Sequence, residues 1–233
     1  MKTGSEANVD ASLGDLTSVS DRVIVCNTPL VLHNLAILRD KESSPEVFRA
    51  ALRRISLTLV NKAFENLPLV TKNVQTPLIE TEAKVIDEES EYIVAPILRA
   101  GLIFTDSALD ILPIVKVHHI GLYRDEATLK PVPYYNKLPD SFKNPLKTQV
   151  YIFDPMLATG GSAVAAVKLF TERGIAEENI TFISLIASPE GVSKLTSAFS
   201  RIKIITCSVD KCLNEFGYIL PGLGDAGDRI FNT

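Results

Sequence analysis

One stretch near the middle of the chain, residues 150–163, limits the possible folds more than any other. It opens with four apolar or aromatic residues, VYIF, the composition of a parallel strand buried on both faces. Asp154 ends that run, and the turn that follows leads through TGGS, residues 159–162, into a helical pattern of apolar residues. This order predicts a buried strand joined by a glycine-rich turn to a helix, as in an α/β fold.

The turn itself has the chemistry of an anion site. Gly160 and Gly161 allow a tight backbone whose successive N–H groups converge at a helix N-terminus, where unpaired donors and the helix dipole favour an anion. The hydroxyls of Thr159 and Ser162 add donors, and Asp154 can accept hydrogen bonds from a sugar. The sequence therefore predicts a sugar-phosphate site, with the alternative that these residues serve only as turn and helix cap.

Composition and length favour one domain with no basic binding surface. The 233 residues are 46% hydrophobic, with a formal net charge of −4 and a pI near 5.5. Such a chain can bury one sizeable core, and it has no global positive field to attract nucleic acid or anionic lipid membranes. Its three cysteines are odd in number and lack the paired spacing of a zinc site, which indicates reduced thiols and a reducing, cytoplasmic setting.

The first twenty residues differ from the rest. Residues 1–20 are rich in Ser and Thr and contain three acids, without the apolar core of a signal peptide. No later apolar run approaches the roughly 20 residues of a membrane span. We expect a flexible tail over residues 1–20 and a single domain over residues 21–233.

Strand and helix patterns alternate along this domain. Two early helices, over residues 28–39 and from Ser44 to about residue 63, are expected to be scaffold or subunit interface, which favours a homodimer or a larger homo-oligomer. Residues 68–84 and 124–138 have the composition of projecting hairpin arms, and the second is long enough to act as a lid. The alternation predicts a doubly wound, mainly parallel sheet. Buried strands are predicted at residues 92–98, 114–123, 150–153, 180–187 and 202–207.

Two further positions in these strands bear on function. Arg99 follows the strand at 92–98, at the edge of the sheet where ligands of open α/β folds bind, so it is well placed for an anion. A capping or ion-pairing role is the alternative. His118 and His119 are adjacent in a predicted strand, so their side chains should point to opposite faces and cannot act as a metal pair.

The last twenty residues contain four glycines and one proline. Gly222, Gly224 and Gly227 have the spacing of the dinucleotide-binding motif G-x-G-x-x-G, but only six residues follow, too few for the helix and acid that the motif requires. The chain also lacks the G-K-[ST] of a nucleotide-triphosphate P-loop. The glycines instead indicate a backbone that approaches a ligand closely and offers it N–H and C=O groups.

Four segments of the chain resemble one known family. ILRAG (97–101), YRDE (123–126), DPMLATGGS (154–162) and GYILPGLGDAGDR (217–229) are similar to motifs of the uracil phosphoribosyltransferases, a branch of the type I phosphoribosyltransferases. Pro155 stands where most of that superfamily has a second acid. The resemblance runs from about residue 25 to the C-terminus, and it implies the type I fold with a projecting β-arm and a C-terminal base-binding segment.

The resemblance implies transfer of ribose 5-phosphate from 5-phosphoribosyl diphosphate (PRPP) to N1 of uracil, giving UMP and diphosphate in pyrimidine salvage. Uracil presents two carbonyl groups around one N–H, a pattern that backbone groups can match. Cytosine would leave partners unpaired, at a cost on the order of 10⁴-fold. The resemblance also implies Mg²⁺ bound through PRPP without a direct protein ligand. GTP activates some members of that family, and the sequence does not decide whether GTP or another nucleotide activates this chain.

Site residues follow from the same resemblance. Catalysis is assigned to Arg99, Asp154 and Asp225, with no general base identified. Uracil contacts are assigned to Ile219, Gly224, Asp225 and Ala226. PRPP contacts are assigned to Arg99, Arg124, Asp154, Pro155, Met156, Leu157, Ala158, Thr159, Gly160, Gly161, Ser162 and Asp225.

Two other functions remain possible at this point. One is a phosphoribosyltransferase for another base, such as orotate or a purine, which the uracil-type terminus disfavours. The other is a non-catalytic relative that senses nucleotides or binds RNA. The presence of Arg99, Asp154 and Asp225, together with the acidic net charge, disfavours this second alternative.

Overall fold

The computed structural model describes residues 22–124 and 131–233. The predicted N-terminal tail and part of the predicted lid, residues 125–130, lie outside the described residues. The helices are α1 (Pro29–Arg39), α2 (Pro45–Ala63), α3 (Thr105–Ile111), α4 (Gly161–Thr171), α5 (Pro189–Ala198) and α6 (Ala226–Phe231). The strands are β1 (Val23–Val25), β2 (Leu69–Gln75), β3 (Glu80–Ile86), β4 (Glu91–Leu98), β5 (Lys116–Val117), β6 (Ile120–Arg124), β7 (Pro131–Asn136), β8 (Thr148–Phe153), β9 (Met156–Leu157), β10 (Ile180–Ile183), β11 (Ile186–Ala187), β12 (Lys203–Thr206), β13 (Ser208–Val209), β14 (Cys212–Leu213) and β15 (Ile219–Leu220).

The main sheet confirms the predicted α/β fold. Its order is β1-β12-β10-β8-β4-β6-β7, with β5 also paired to β4, and the β6–β7 pair is antiparallel while the other pairs are parallel. β8 lies between β4 and β10, so the strand predicted from VYIF is at the centre of the sheet. Its last four residues are fully buried, which explains their unbroken apolar sequence.

Helices cover both faces of this sheet. Tyr151 and Phe153 of β8 face a core shared with α1, α2, α3 and α6, whereas Val150 and Ile152 face a second core shared with α4 and α5. This alternation follows from the period of two in a strand. The sheet is therefore doubly wound, as predicted.

A short second sheet extends three of the parallel strands at their carboxyl ends. β9, β11 and β13 follow β8, β10 and β12 after a short break and form a parallel sheet of their own. Asp154 and Pro155 occupy the break after β8, where the Asp154 N–H donates to the carbonyl of Ile183 and the Pro155 carbonyl accepts from Leu185. The extension holds the turn after β8 at the ligand-binding edge of the sheet.

The prediction of one continuous strand at residues 114–123 is wrong. It is divided into β5 and β6, and His118 and His119 lie between them, opposite Ala95 and Pro96 of β4. Pro96 has no N–H to donate, so the hydrogen-bond ladder is interrupted there. Within the described ranges no cluster of three or more His, Cys, Asp or Glu side chains is arranged to bind a metal ion.

One hairpin forms a separate two-stranded sheet, and one antiparallel pair lies at the edge of the main sheet. β2 and β3 pair in register from Leu69 opposite Ile86 to Gln75 opposite Glu80, with mostly exposed side chains, which confirms the arm predicted at 68–84. β6 and β7 pair antiparallel at the edge of the main sheet, and the part of the predicted lid between them lies outside the described residues. The cysteines are free thiols, and no helix in the described part of the chain is long and apolar enough to cross a membrane.

Candidate active site

A cavity of about 830 Å³ opens at the carboxyl edge of the sheet. The loop before α4, the Arg99 loop, the β14–β15 hairpin and the start of α6 form its wall. Pro155 does not line the cavity and is buried beneath it. The side chain of Arg124 lies outside the described residues. The predicted residues that line the cavity are Arg99, Asp154, Met156, Leu157, Ala158, Thr159, Gly160, Gly161, Ser162, Ile219, Gly224, Asp225 and Ala226.

The glycine-rich loop has the backbone that an anion site needs. Gly160 adopts a left-handed conformation with φ of 73° and forms the N-cap of α4, a position that most other residues reach only with strain. Its carbonyl accepts the N–H of Val164, so the N–H groups of residues 161–163 begin the helix without helical acceptors. Within the described residues, the hydroxyls of Thr159 and Ser162 have no hydrogen-bond partner and remain available to a ligand.

The start of α5 packs against the glycine-rich loop and holds it in place. The Ser188 hydroxyl donates to the Ala158 carbonyl at 2.6 Å and accepts the Gly191 N–H at 2.9 Å. A Cβ at Gly191 would lie 2.4 Å from the Ala158 oxygen and 2.6 Å from the Leu157 oxygen, so only glycine fits there. Sequence reasoning missed both residues. Ser188 carries an ordinary helix-cap signal, S-P-E-G, which does not indicate its contact with a loop 30 residues earlier.

Asp154 lies between β8 and β9 with only partial access to the cavity. Burial raises the pKa of its carboxyl to about 7, and the nearby charge of Asp225 acts in the same direction. The Met156 N–H, 3.3 Å from Oδ1, opposes the shift in pKa. The carboxylate therefore gains most from a ligand that brings hydroxyl donors or positive charge.

Arg99 stands at the opposite wall, directly after β4. Its guanidinium is half exposed, 3.4 Å from the Asp228 carboxylate and 5.7 Å above the ring of Phe231. Exposed ion pairs of this kind contribute about 0–1 kcal/mol, so a polyanion can displace Asp228 at low cost. Arg99 is therefore a cation available to the cavity.

A tight turn brings the two parts of the predicted base-binding segment together. Ile219 is buried in β15, opposite Leu213 of β14. Gly222 has a φ of 65°, and a Cβ there would lie 2.1 Å from the Ile219 oxygen. The turn places residues 224–226 beside Ile219 on the cavity wall. Asp225 then caps α6 by accepting the Asp228 N–H at 3.0 Å.

The early helices do more than the scaffold role predicted for them, because they anchor this segment. Arg229 of α6 donates to the carbonyls of Leu38 and Asp40 at the end of α1, and to that of Leu223. Its guanidinium also lies 4.3 Å above the ring of Phe48 in α2. No pattern within either segment indicates these contacts, which join residues about 190 positions apart.

The hairpin turn between β14 and β15 forms the remaining wall. Phe216 and Tyr218 line the cavity with exposed aromatic surface, and the Asn214 side chain accepts both of their N–H groups. Glu190 of α5 accepts the Leu213 N–H at 3.2 Å, so the hairpin is tied to the helix that supports the glycine-rich loop. None of these residues was predicted as part of the site.

Comparison with known proteins shows the family to which this chain is similar. A family model described as uracil phosphoribosyltransferase matches residues 25–233. Uracil phosphoribosyltransferases of Dictyoglomus thermophilum and Brucella melitensis are 49% and 47% identical over 211 residues, covering 91% of this chain and 99% of each relative. A solved structure of an Aquifex aeolicus protein superimposes with a TM-score of 0.81 at 35% identity, covering 90% of this chain and 97% of that one. The family match includes every residue of the cavity wall.

Proposed function

This chain belongs to the uracil phosphoribosyltransferase family, and from that premise we propose how its own residues perform the reaction. The enzyme is a pentosyltransferase of pyrimidine salvage, which transfers ribose 5-phosphate from PRPP to N1 of uracil and releases diphosphate. One observation carries the assignment of roles. The glycine-rich loop, Asp154 and the C-terminal segment line a single cavity of about 830 Å³, large enough for a nucleotide.

The glycine-rich loop binds the 5-phosphate. The N–H groups at the start of α4 and the hydroxyls of Thr159 and Ser162 are the donors for this anion, since these residues line the cavity, and the helix dipole favours its charge. Asp154 accepts hydrogen bonds from the ribose hydroxyls. These hydrogen bonds compensate the burial of its carboxylate and lower its pKa on binding.

Arg99 and Arg124 bind the diphosphate of PRPP and stabilise its charge as it leaves. Carbon–oxygen cleavage at the anomeric centre gives an oxocarbenium-like transition state, so catalysis consists mainly of positioning and electrostatic stabilisation. Asp225 orients PRPP at the boundary between sugar and base. No side chain of the cavity is assigned as a general base.

Uracil binds to the backbone around Ile219 and Gly224 to Ala226. Backbone N–H and C=O groups complement its two carbonyls and its N–H, and they would leave unpaired groups against cytosine. Phe216 and Tyr218 line this side of the cavity with aromatic surface. This arrangement supports selection of uracil without a charged side chain.

Mg²⁺ is the proposed cofactor, and the donors in the cavity fit it. The carboxylates of Asp154 and Asp225 give the cavity wall negative charge that suits a hard cation held by the substrate phosphates, without a direct protein ligand. Bound through PRPP, the ion would supply charge neutralisation to the diphosphate. We further propose cytoplasmic location, a homodimer or larger homo-oligomer, activation by GTP, and no nucleic-acid or membrane partner.

The test is UMP formation with PRPP and Mg²⁺, comparing uracil, cytosine, orotate and hypoxanthine in parallel assays. We expect product from uracil alone. Product from another base would still support the assignment of the PRPP site, but it would overturn the assignment of residues 219–226 to uracil. No consumption of PRPP with any base, with and without GTP, would favour the nucleotide-sensing alternative.

A further inference from the structure

Gly222 is the turn residue of the base-binding segment, and an ion pair holds both of its backbone groups. The Arg39 guanidinium donates to the Gly222 carbonyl at 2.8 Å. The Asp210 carboxylate accepts the Gly222 N–H at 3.0 Å. Gly222 itself is buried, so water does not compete for either group.

Arg39 and Asp210 also bind each other directly, at distances no longer than those to Gly222. Their two hydrogen bonds, Nη1 to Oδ2 at 2.7 Å and Nη2 to Oδ1 at 2.6 Å, form a bidentate pair. The Asp210 side chain is 2% exposed and that of Arg39 is 25% exposed. Burial alone would raise the pKa of Asp210, but the hydrogen bonds from Arg39, Ser208 and Gly222 hold that pKa below its ordinary value.

The pair is attached to two rigid parts of the fold. Arg39 is the last residue of α1. Asp210 follows β13, and its N–H donates to the carbonyl of Ala187 in β11 at 2.7 Å. The turn at Gly222 is therefore fixed both to a helix and to the sheet extension that carries the glycine-rich loop.

We propose that Arg39 and Asp210 are a positioning pair that sets the affinity for uracil. The inference rests on the proposed function. Gly222 lies between Ile219 and Gly224, so the position of its peptide groups determines the spacing of the backbone atoms that bind the base. Neither residue lines the cavity, so the pair acts on uracil through the backbone of Gly222. A displacement of about 1 Å at such a site can cost on the order of 10²-fold in rate.

A purely stabilising role is the competing explanation, and it makes a different prediction. Replacing one partner of a buried ion pair is strongly destabilising because the other charge is left unpaired. Removing both charges restores much of that stability. If the pair only stabilised the fold, the uracil KM would recover together with the melting temperature.

Three variants separate these roles, each assayed for UMP formation with uracil and PRPP varied in turn. We expect Arg39→Met to lower the melting temperature and to raise the uracil KM at least tenfold, with the PRPP KM within about twofold of wild type. Arg39→Lys keeps the charge but cannot reach Asp210 and the Gly222 carbonyl together, so it should rescue the uracil KM only in part. Arg201→Met, which removes an exposed arginine paired with Glu178 far from the cavity, is the matched control.

The double variant Arg39→Met with Asp210→Asn decides the question. It removes the unpaired buried charge, so the melting temperature should rise above that of Arg39→Met, while the Gly222 carbonyl still lacks its donor and the uracil KM stays high. Recovery of both quantities, or equal increases in both KM values, would overturn the inference. Absence of UMP with the wild-type enzyme would instead overturn the proposed function, because the variants are compared only with an active parent.

Discussion

The proposed phosphate half and the proposed base half of the cavity are built differently. The phosphate half is a short backbone loop held by its own strand, its own helix and the start of α5, within a span of residues 150–191. The base half is also backbone, but side chains from distant elements hold it in place. Arg39 and Arg229 join it to α1 across more than 180 residues.

The difference reflects what each half must recognise. A phosphate is a compact polyanion that any converging set of N–H groups can bind, and a helix N-terminus provides such a set by local geometry. Uracil must be distinguished from bases of similar shape, which requires donors and acceptors at fixed spacing. We infer that local sequence suffices for the first task and that the second requires bracing from elsewhere in the fold.

Asp154→Asn should have the largest effect, because Asp154 is the largely buried carboxylate that we propose accepts hydrogen bonds from the ribose hydroxyls, beside the reacting carbon. Loss of its charge should lower kcat/KM by roughly 10²- to 10³-fold with the fold retained. Steady-state kinetics and circular dichroism measure this. Asp110→Asn, an exposed acid of α3 outside the cavity wall, is the control and should keep wild-type activity. Equal losses in both variants would contradict the role of Asp154.

Gly191→Ala should damage the phosphate half alone. The added Cβ would meet two carbonyl oxygens of the loop at 2.4 and 2.6 Å, so the loop must shift. We expect the PRPP KM to rise by about 10²-fold and the uracil KM to change far less. A comparable rise in both constants would show that the two halves are not built independently.

Gly222→Ala is the reciprocal change in the base half. Its Cβ would lie 2.1 Å from the Ile219 oxygen, in a left-handed conformation that alanine adopts with strain. The uracil KM should rise by about tenfold or more while the PRPP KM stays near that of wild type. If PRPP binding weakened instead, the assignment of this turn to the base would be wrong.

A smaller effect is expected on stability, with a dependence on pH. Folded Asp154 keeps its proton up to about pH 7, whereas the unfolded chain releases it near its ordinary pKa of 3.8. The folded state therefore binds the extra proton between these values, and its contribution to the free energy of unfolding decreases as the pH rises from about 4 to about 7.

Thermal melts of ligand-free Asp154→Asn test this sign. The variant should melt a few degrees above wild type at pH 8, with the difference shrinking toward pH 4. A variant that melts below wild type at pH 8 would mean that the Asp154 carboxylate is stabilised in the folded protein rather than penalised.

The smallest effect should come from the contact that links the two halves. Glu190→Ala removes the acceptor for the Leu213 N–H, an exposed hydrogen bond at 3.2 Å. We expect a rise in the uracil KM of about two- to fivefold, in keeping with roughly 0.5–1 kcal/mol for one such bond. Glu190→Gln keeps an acceptor oxygen and should behave like wild type. An effect above tenfold would indicate that the hairpin depends on α5 more than its contacts suggest.

The sequence predicted the elements whose signals are local. The strand at 150–153, the TGGS turn and the doubly wound sheet follow from apolar runs, glycines and helical spacing, and the structure confirms them. The strand at 114–123 was predicted as continuous because its own residues favour a strand. The interruption comes from a proline in the neighbouring strand β4, which is a tertiary effect.

The roles of Arg39, Asp210 and Gly191 could not be predicted from sequence either, because they also depend on tertiary contacts. Arg39 and Asp210 are separated by 171 positions, and each looks like an ordinary surface charge in its own segment. Gly191 looks like part of a helix start, although its lack of a side chain serves a different loop. These roles depend on which elements meet in three dimensions, and a pattern within one segment carries no information about that.

The division between the two halves is tested most directly by comparing the affinities of ribose 5-phosphate and UMP, measured by calorimetry for wild type and Gly222→Ala. Both ligands carry the sugar phosphate, and only UMP carries the base. We predict that wild type binds UMP more tightly than ribose 5-phosphate and that Gly222→Ala loses this preference while its affinity for ribose 5-phosphate is unchanged. A variant that binds both ligands more weakly by the same factor would contradict the account.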